Sequence, residues 1–249
     1  MTYHIQQNNR GKRMKPLVAI TGASSGIGEA TARLFSREGY PLLLMSRRID
    51  RLTAMALPKC ICSKVDVINV EEINRAVQEA YERYGEVDCL VNNAGVMMLD
   101  LPWNQPLSEW QSMVNVNIMG VLNGIHTVLN KMVERRTGTI INIGSLSGRK
   151  TFRRHAVYCA TKFAVHALSE TIREEVSQFN VRVITIAPGA VNTELITHTS
   201  NKEYQEDWWK TVGGVLKPVD IARTILFAYE QPQDVCLREI VITPTAQPD

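Results

Sequence analysis

The feature that most constrains the fold is a glycine-rich turn between an apolar strand and an amphipathic helix. The turn, TGASSGIG, occupies residues 21–28 and follows the apolar run LVAI. The segment after it, EATARLFSREGY, places apolar residues among polar ones at helical spacing. A short, continuous apolar run is typical of a strand that is buried in a parallel sheet. The sequence therefore predicts a strand–turn–helix unit near the start of an α/β fold.

The three glycines of the turn have separate expected roles. Gly22 permits the tight turn, Gly26 lets the backbone approach a pyrophosphate, and Gly28 lets the helix pack closely on the strand. The phosphates would meet the positive N-terminus of that helix. The spacing is GxxxGxG, which differs from GxGxxG and from a P-loop. The motif predicts a dinucleotide site, and a glycine-rich turn without a ligand is the alternative.

Apolar strands alternate with helical patterns along the rest of the chain. The predicted strands are Leu17–Thr21, Pro41–Met45, Ile61–Val65, Cys89–Asn92, Gly138–Ile143, Val181–Ile186 and Arg238–Ile242. Such alternation implies βαβ units with right-handed crossovers. We expect a doubly wound α/β fold, in which a mainly parallel seven-stranded sheet carries helices on both faces.

Residues 108–135 give the clearest helical pattern. Ser108 and Gln111 predict a capping box at its start. Apolar residues recur at helical spacing at Trp110, Val114, Ile118, Val121, Ile125, Val128 and Met132. Asn117 lies inside this pattern, either as a polar residue satisfied in a helix–helix contact or as the mark of a break in helical hydrogen bonding.

Tyr158 and Lys162 stand four residues apart in YCATK, so a helix would present both on one face. Ser145 precedes the tyrosine in IINIGSLSG, at the end of a predicted strand. A phenol with a pKa of roughly 10 is a poor base at neutral pH, and a neighbouring ammonium would lower that pKa. The group predicts proton transfer on an alcohol or carbonyl, although most tyrosine–lysine pairs at this spacing are solvated helix faces.

Taken together, these motifs resemble the short-chain dehydrogenase/reductase family in its single-domain branch, from about Lys15 to the C-terminus. The resemblance implies a Rossmann-like fold and a catalytic tetrad of Asn117, Ser145, Tyr158 and Lys162, in which the asparagine holds a water that links the lysine to solvent. It also rests on the segments Asp66-Val67, Asn92-Asn93-Ala94-Gly95 and Pro188-Gly189, with Thr193 four residues later. The implied cofactor-binding residues are Gly22, Ser24, Ser25, Gly26, Ile27, Gly28, Ser46, Arg47, Arg48, Asp66, Val67, Asn93, Ala94, Gly95, Tyr158, Lys162, Pro188, Gly189, Val191 and Thr193.

The end of the second predicted strand indicates which dinucleotide is bound. An NAD enzyme usually has an acid there for the ribose 2′-hydroxyl, but this chain has Ser46 followed by Arg47 and Arg48. Guanidinium groups suit a 2′-phosphate. The alternative is a solvated helix start, where basic residues gain nothing from the helix dipole. We expect NADP(H).

The substrate is indicated by weaker signals. Residues 146–157, LSGRKTFRRHAV, are unusually basic, and one cation there could hold a carboxylate; a solvated or intersubunit loop is the alternative. The segments LKPVDIA and VITPTAQ resemble the NADP-dependent serine and 3-hydroxy-acid dehydrogenases. We expect a small 3-hydroxy acid or hydroxy amino acid, with 3-oxoacyl thioester reduction as the second possibility. A non-catalytic NADP(H)-binding sensor is the alternative of another class.

The domain organisation expected is a polar tail at 1–14 and one oxidoreductase domain at 15–249. Within it, residues 191–214 form the least regular long segment, which in the resembled family is the substrate lid. Trp208 and Trp209 in that segment either close over a substrate or pack on the core. In the resembled family, the helices that correspond to Ser108–Arg135 and Tyr158–Gln178 pair across a dyad between two subunits. The C-terminal ITPTAQPD would reach a second neighbour, so we expect a homotetramer, or a homodimer if that tail folds back on its own subunit.

Composition excludes other classes of function. The net charge of +3 is too small to indicate nucleic-acid or membrane binding, and no apolar run reaches the length of a membrane helix. The five cysteines include no CxxC, and the histidines include no HExxH, so no metal site is expected. Reduced thiols favour a cytoplasmic protein.

Overall fold

In a computed structural model of the protein, which describes residues 14–247, seven strands form one parallel sheet. Of the expected tail at 1–14, only Met14 is among the described residues. Residues 248 and 249 also lie outside them. The strands are β1 (Leu17–Thr21), β2 (Leu42–Ser46), β3 (Cys60–Lys64), β4 (Val87–Asn92), β5 (Gly138–Ile143), β6 (Val181–Pro188) and β7 (Glu239–Ile242). Their order is β3-β2-β1-β4-β5-β6-β7, and every pairing is parallel.

Eight α-helices lie in the described part of the chain. They are α1 (Gly26–Arg37), α2 (Ile49–Ala54), α3 (Val70–Tyr84), α4 (Leu107–Val114), α5 (Gly120–Arg135), α6 (Ala156–Val176), α7 (Lys202–Thr211) and α8 (Pro218–Tyr229). None of the described helices is long and apolar enough to cross a membrane.

Both faces of the sheet are covered, which explains the continuous apolar runs of the strands. All five residues of β1 are buried. Leu17 and Ala19 join the core beneath α3, α5 and α6, whereas Val18 and Ile20 join the core beneath α1 and α8. The predicted doubly wound fold with helices on both faces is confirmed. β1 lies between β2 and β4, so the chain order reverses there and a crevice opens at the carboxyl ends of the strands.

The predicted long helix is interrupted between α4 and α5. A π-helical turn covers Asn115–Met119, and the Gly120 N–H donates to the carbonyl of Asn115, five residues back. The extra residue shifts the helical phase, so Met113 is fully buried while Val114 is 37% exposed. The helical spacing that the sequence shows from Val114 to Val121 therefore does not correspond to one continuous buried face.

The predicted capping box at Ser108 and Gln111 is also wrong. α4 begins at Leu107 with Pro106 at the N-cap, and no side chain caps it. Proline fixes its own φ and leads directly into the first helical turn, so the helix begins before the serine. Ser108 is already inside the helix.

The segment at 191–214 is more regular than expected. It contains a 3₁₀ turn at Glu194–His198 and the ten-residue helix α7. The side chain of Asn201 caps α7 by accepting a hydrogen bond from the N–H of Tyr204. A third apolar cluster joins this segment to α6, because Ile196 is buried against Tyr158 and Trp208 packs on the same cluster.

Candidate active site

The turn after β1 leaves a cradle at the N-terminus of α1. Gly22 and Gly26 have φ values of +63° and +54°, in the left-handed region that favours glycine. A Cβ on Gly28 would lie 2.4 Å from the carbonyl oxygen of Gly22. Any side chain there would separate α1 from the turn. The positive end of α1 therefore stands close to the backbone of the turn, an arrangement that suits a phosphate.

The segment after β4 is hydrogen-bonded to this turn. Thr21 Oγ1 accepts from the N–H groups of Asn93 and Ala94, each at 3.0 Å. The Asn93 side-chain amide donates to the carbonyls of Thr21 and Gly22, at 3.0 and 3.1 Å. Asn93, Ala94 and Gly95 of the NNAG motif thus line the pocket beside the glycine cradle.

The end of β2 adds hydroxyl and guanidinium groups beside the cradle. Ser46 Oγ donates to Ser24 Oγ at 2.8 Å. The guanidinium of Arg48 donates to Ser24 Oγ at 3.1 Å and to Ser25 Oγ at 2.7 Å. Arg48 is therefore fixed over the turn by both serines of the motif, while Arg47 is exposed at the rim of the pocket.

The same guanidinium also contacts the segment at 191–214. Arg48 Nη1 donates to Glu194 at 2.8 Å, and Arg51 donates to the same carboxylate at 2.8 Å. Hydrogen bonds from Arg48 and then Arg51 lower the pKa of Glu194 to about 2. The carboxylate is thus ionised at any working pH and stands between two cations, where an anionic ligand would compete with it.

Asp66 and Val67 follow β3 and line the next part of the same pocket. The Asp66 N–H donates to the carboxylate of Glu72 at 2.7 Å. The side chain of Asn123, from α5, donates to the carbonyl of Val67 at 2.9 Å. Both residues therefore have fixed backbones at the pocket wall.

Asn117 lies in the π-helical turn and is buried. Its Oδ1 accepts from the Val96 N–H at 2.9 Å, and its Nδ2 donates to the Val96 carbonyl at 2.9 Å and to Thr161 Oγ1 at 3.1 Å. Both sequence interpretations apply, since the helix is broken here and the amide is satisfied. The side chain holds the strand end after β4 against α6.

Ser145, Tyr158 and Lys162 meet at the centre of the pocket. Ser145 Oγ accepts from the Ser147 N–H at 3.0 Å. Tyr158 is 5% exposed. Lys162 Nζ donates to the carbonyl of Ile143 at 2.8 Å and lies 5.8 Å from the centre of the tyrosine ring. Two side chains on one face of α6 thus oppose the serine at the end of β5.

Burial controls the protonation of this group. Burial raises the pKa of Tyr158 to about 12, against the lowering effect of its hydrogen bond with Ser145. Burial likewise lowers the pKa of Lys162 to about 8. The sequence predicted a lowered pKa for the tyrosine, whereas in this structure the largest effect is burial of the phenol, which raises it. Tyr158 is accordingly a proton donor at neutral pH.

The segment after β6 closes the far side of the pocket. The Gly189 N–H donates to the carbonyl of Ile242 at 2.8 Å. A Cβ on Gly26 would lie 3.0 Å from the methyl group of Thr193, so the cradle and this segment nearly touch. Pro188, Gly189 and Val191 line the pocket between them.

The pocket has a volume of about 530 Å³ and brings together all the sequence-predicted site residues except Gly28 and Asn117. Those two lie behind its wall. Above Tyr158 the lining is largely apolar, with Met97, Leu146 and Trp208. Trp208 therefore faces the pocket and the apolar cluster together, while Trp209 is exposed.

The basic segment before α6 divides into separate roles. Arg149 pairs with Glu239 at 2.5 Å, and Arg154 pairs with Asp207 of α7 at 2.8 Å. Only Arg153 and His155 of the segment's cations line the pocket.

Gln247 was not expected from sequence. Its Oε1 accepts from the Ala190 N–H at 3.1 Å, and its side chain lines the pocket. A lone glutamine after the last strand carries no pattern that would have marked it. Within residues 14–247, no group of three or more His, Cys, Asp or Glu side chains is placed to hold a metal ion.

A profile described as short chain dehydrogenase matches residues 16–204. An uncharacterized oxidoreductase of Staphylococcus saprophyticus is 40% identical over 237 residues, which cover 93% of this chain and 96% of that protein. Two solved structures are similar at 28% identity. One is the closed form of serine dehydrogenase complexed with NADP+, with a TM-score of 0.87, covering 93% of this chain and 96% of that one. The other is an alcohol dehydrogenase of Thermococcus sibiricus complexed with 5-hydroxy-NADP, with a TM-score of 0.83, covering 94% and 99%.

The glycine cradle, the pocket at the switch point of the sheet and the group formed by Ser145, Tyr158 and Lys162 agree with these matches. The chain belongs to the short-chain dehydrogenase family of oxidoreductases.

Proposed function

We propose that the protein is an NADP(H)-dependent oxidoreductase that interconverts a secondary alcohol and a carbonyl, with a small 3-hydroxy acid or hydroxy amino acid as its substrate. The observation that carries the reaction type is the placement of Tyr158, Ser145 and Lys162 on one pocket that continues to the glycine cradle. A proton donor and a dinucleotide cradle in one cavity suit coupled proton and hydride transfer.

The residues of the cradle fit a nicotinamide dinucleotide. Side chains at Gly22 and Gly28 would collide with backbone atoms 2.7 and 2.4 Å away, so both glycines keep the turn packed tightly against α1 and the segment after β4. Gly26, which lines the pocket with a left-handed φ of +54°, is where the backbone would approach a pyrophosphate. The cofactor, when bound, supplies or accepts the hydride.

Side chains of the protein would donate the proton and stabilise the charge that is left. Tyr158, protonated at neutral pH, would donate to the carbonyl oxygen of the substrate. Ser145 would hold that oxygen by a hydrogen bond, which orients the carbonyl. Lys162 places its positive charge beside the phenolate that is left. Asn117 fixes the backbone of Val96 at the pocket wall.

The preference for NADP(H) is supported by the charges at the end of β2. Ser24, Ser25 and Ser46 present hydroxyl groups beside Arg48, and the strand end carries no acid. This donor set suits a phosphate better than a ribose hydroxyl. Both similar structures named above contain an NADP cofactor or its derivative.

The acidic substrate is supported by Arg153. Its exposed guanidinium lines the pocket and has no carboxylate partner among residues 14–247. A substrate carboxylate could supply that partner, while the apolar lining accommodates a short carbon chain.

A substrate panel tests this proposal. NADPH formation would be followed with serine, allo-threonine and 3-hydroxyisobutyrate, and NADPH oxidation with acetoacetyl thioester. Arg153→Gln should raise the KM for an acid about tenfold or more, through loss of a charge-assisted bond, and leave a neutral ketone within about threefold. Preference for the thioester would favour the second substrate class. Tight NADPH binding with no turnover of any substrate would favour a sensor.

A further inference from the structure

A histidine lies directly behind the catalytic serine. His166 stands one turn of α6 after Lys162, and its side chain is 15% exposed. Its Nε2 accepts from the Ser145 N–H at 3.4 Å. Its Nδ1 lies 3.1 Å from the Glu239 carboxylate on β7. The imidazole therefore bridges the backbone of the serine and the edge strand of the sheet.

Two glycines make room for this ring. A Cβ on Gly144 would lie 2.4 Å from Nε2 of His166, and a Cβ on Gly148 would lie 2.5 Å from its Cδ2. No other residue type fits at either position without moving the ring. The two glycines of IGSLSG, on either side of Ser145, are thus packed on the imidazole. The ring fills the space behind the loop that presents the serine hydroxyl.

The bonds define one protonation state. The Ser145 N–H requires a lone pair on Nε2, so the ring proton sits on Nδ1 and points at Glu239. A proton on Nε2 would place two N–H groups against each other. The neutral ring therefore supports the loop, and the doubly protonated ring does not.

The charged groups that act on the ring come from three places. Lys162 lies on its own helix, Arg149 on the loop after β5, and Glu239 on β7. Burial first, then Lys162 and Arg149, keep the pKa of His166 below its usual value, against the opposing effect of Glu239. At neutral pH the ring is thus in the form that the loop needs.

We propose that His166, oriented by Glu239, is a positioning residue that holds the Ser145 loop for proton transfer and works only as the neutral imidazole. This inference rests on the proposed function for its kinetic consequence, but its structural part does not. Protonation of the ring would release the Ser145 N–H and misplace the serine hydroxyl, so kcat should fall on the acid side.

The kinetic test uses the full chain with NADPH and the best carbonyl substrate across acid and neutral pH. His166→Ala should lower kcat about tenfold or more and leave NADPH affinity within about threefold. His166→Gln keeps an acceptor for Ser145 but does not titrate, so it should recover part of that loss and lack the acid limb. His126→Gln, on the exposed face of α5, is the matched control and should keep the wild-type pH profile.

Two charge variants should shift the acid limb of the kcat–pH profile in opposite directions. Glu239→Gln removes the anion that raises the pKa of His166, so the acid limb should move to lower pH. Arg149→Gln removes a cation that lowers it, so the limb should move to higher pH. His155 and His198 also line the pocket, and a limb that stayed in place in both variants would belong to one of them and overturn the proposal.

A spectroscopic readout separates this inference from the proposed function. In the labelled full chain, the Ser145 amide resonance should titrate with the same midpoint as the His166 ring, and that step should vanish in His166→Gln. Absence of NADPH turnover with this co-titration present would reject the proposed function and keep the positioning role. Either of two results would overturn the positioning role of His166. One is a Ser145 resonance that does not change through the His166 titration, and the other is a His166→Ala enzyme with wild-type kcat.

Discussion

The hydroxyl of Tyr158 and the ammonium of Lys162 should be separable by mutation. Tyr158→Phe removes the proton donor but leaves the cradle intact, so turnover should be lost while NADPH binding stays within about threefold. Lys162→Ala removes a buried cation on the same pocket, which should weaken cofactor binding as well as the rate. Single-turnover kinetics and fluorescence titration of NADPH would measure both. Substantial residual turnover in Tyr158→Phe would reject its assignment as the acid.

The raised pKa of Tyr158 gives the two directions of reaction different pH dependences. The phenol is protonated through neutral pH, so carbonyl reduction needs no prior ionisation. Alcohol oxidation needs the phenolate, whose fraction grows about tenfold per pH unit below the pKa of about 12. Initial rates of oxidation should therefore rise from neutral to alkaline pH, while reduction changes little around neutrality. Oxidation rates that were flat over this range would assign the base role elsewhere.

Sequence reasoning located residues that belong to spaced motifs, such as Gly22, Tyr158 and Lys162, because their spacing reflects local geometry. It did not find His166, Glu194 or Gln247. Each of these acts through a partner distant in sequence, and the local spacing of residues does not predict such a contact. The pKa of Tyr158 was predicted in the wrong direction because a motif shows the nearby charge but not the burial.

A cofactor phosphate and the Glu194 carboxylate would compete for the arginines that follow β2. Replacing Arg47 and Arg48 with Gln removes charge-assisted bonds of roughly 1.5–3 kcal/mol each. NADPH affinity should fall about tenfold or more, with NADH affinity nearly unchanged. Calorimetric titration of both cofactors would measure this. Equal affinity of the unmodified chain for the two cofactors would contradict the NADP preference.

Glu194→Gln should raise the affinity for NADPH, whereas replacement of the arginines should lower it. The carboxylate occupies Arg48 and Arg51, and its low pKa keeps it ionised above about pH 4. Its removal frees both guanidiniums, so NADPH affinity should rise a few-fold while NADH affinity stays the same. Glu203→Gln, an exposed lid position, is the control. Equal gains for both cofactors would mean that Glu194 restrains the lid rather than the phosphate site.

The helices show where periodicity succeeds and fails. Pattern alone predicted α5 correctly from Val121 to Met132, because a regular helix keeps its phase. It failed at Val114, because the spacing of apolar residues does not reveal the extra residue of a π-helical turn. α7 was missed because the segment carries few buried residues, and its start depends on the single cap at Asn201.

The whole molecule should assemble through two surfaces. Met119 and Phe163 are exposed apolar residues on the π-helical turn and on α6, and Phe227 and Val241 are exposed on α8 and β7. Two separate self-complementary patches would give a tetramer with dihedral symmetry. Light scattering should report about four times the 28.0 kDa chain mass. Phe227→Glu should reduce it to a dimer. A monomeric wild type would reject both surfaces, and a dimeric one only the second.

The sheet was the most predictable level of the structure. Strands buried on both faces read as apolar runs, so all seven were located from the sequence; two had the predicted bounds and the boundaries of the other five were displaced by one or two residues. The alternation of strands and helices predicted a mainly parallel sheet with right-handed crossovers, but it did not predict the order of the strands. The contents of the pocket above Tyr158 were not predictable, because they come from the lid and from the loops after β4 and β5.

The π-helical turn makes spacing itself part of the active site. Deleting one residue from Asn115–Met119 would allow continuous α-helical bonding, and α4 would keep its inward face because Met113 would then stand two α-helical turns before Val121. The bulge that presents Asn117 would close, and its amide would lose the hydrogen bonds to Val96. A helix of this length accommodates many exchanges of side chain on its outer face. It does not tolerate a deletion in the π-helical turn, so relatives that share this chemistry should differ here in residue type but not in the number of residues.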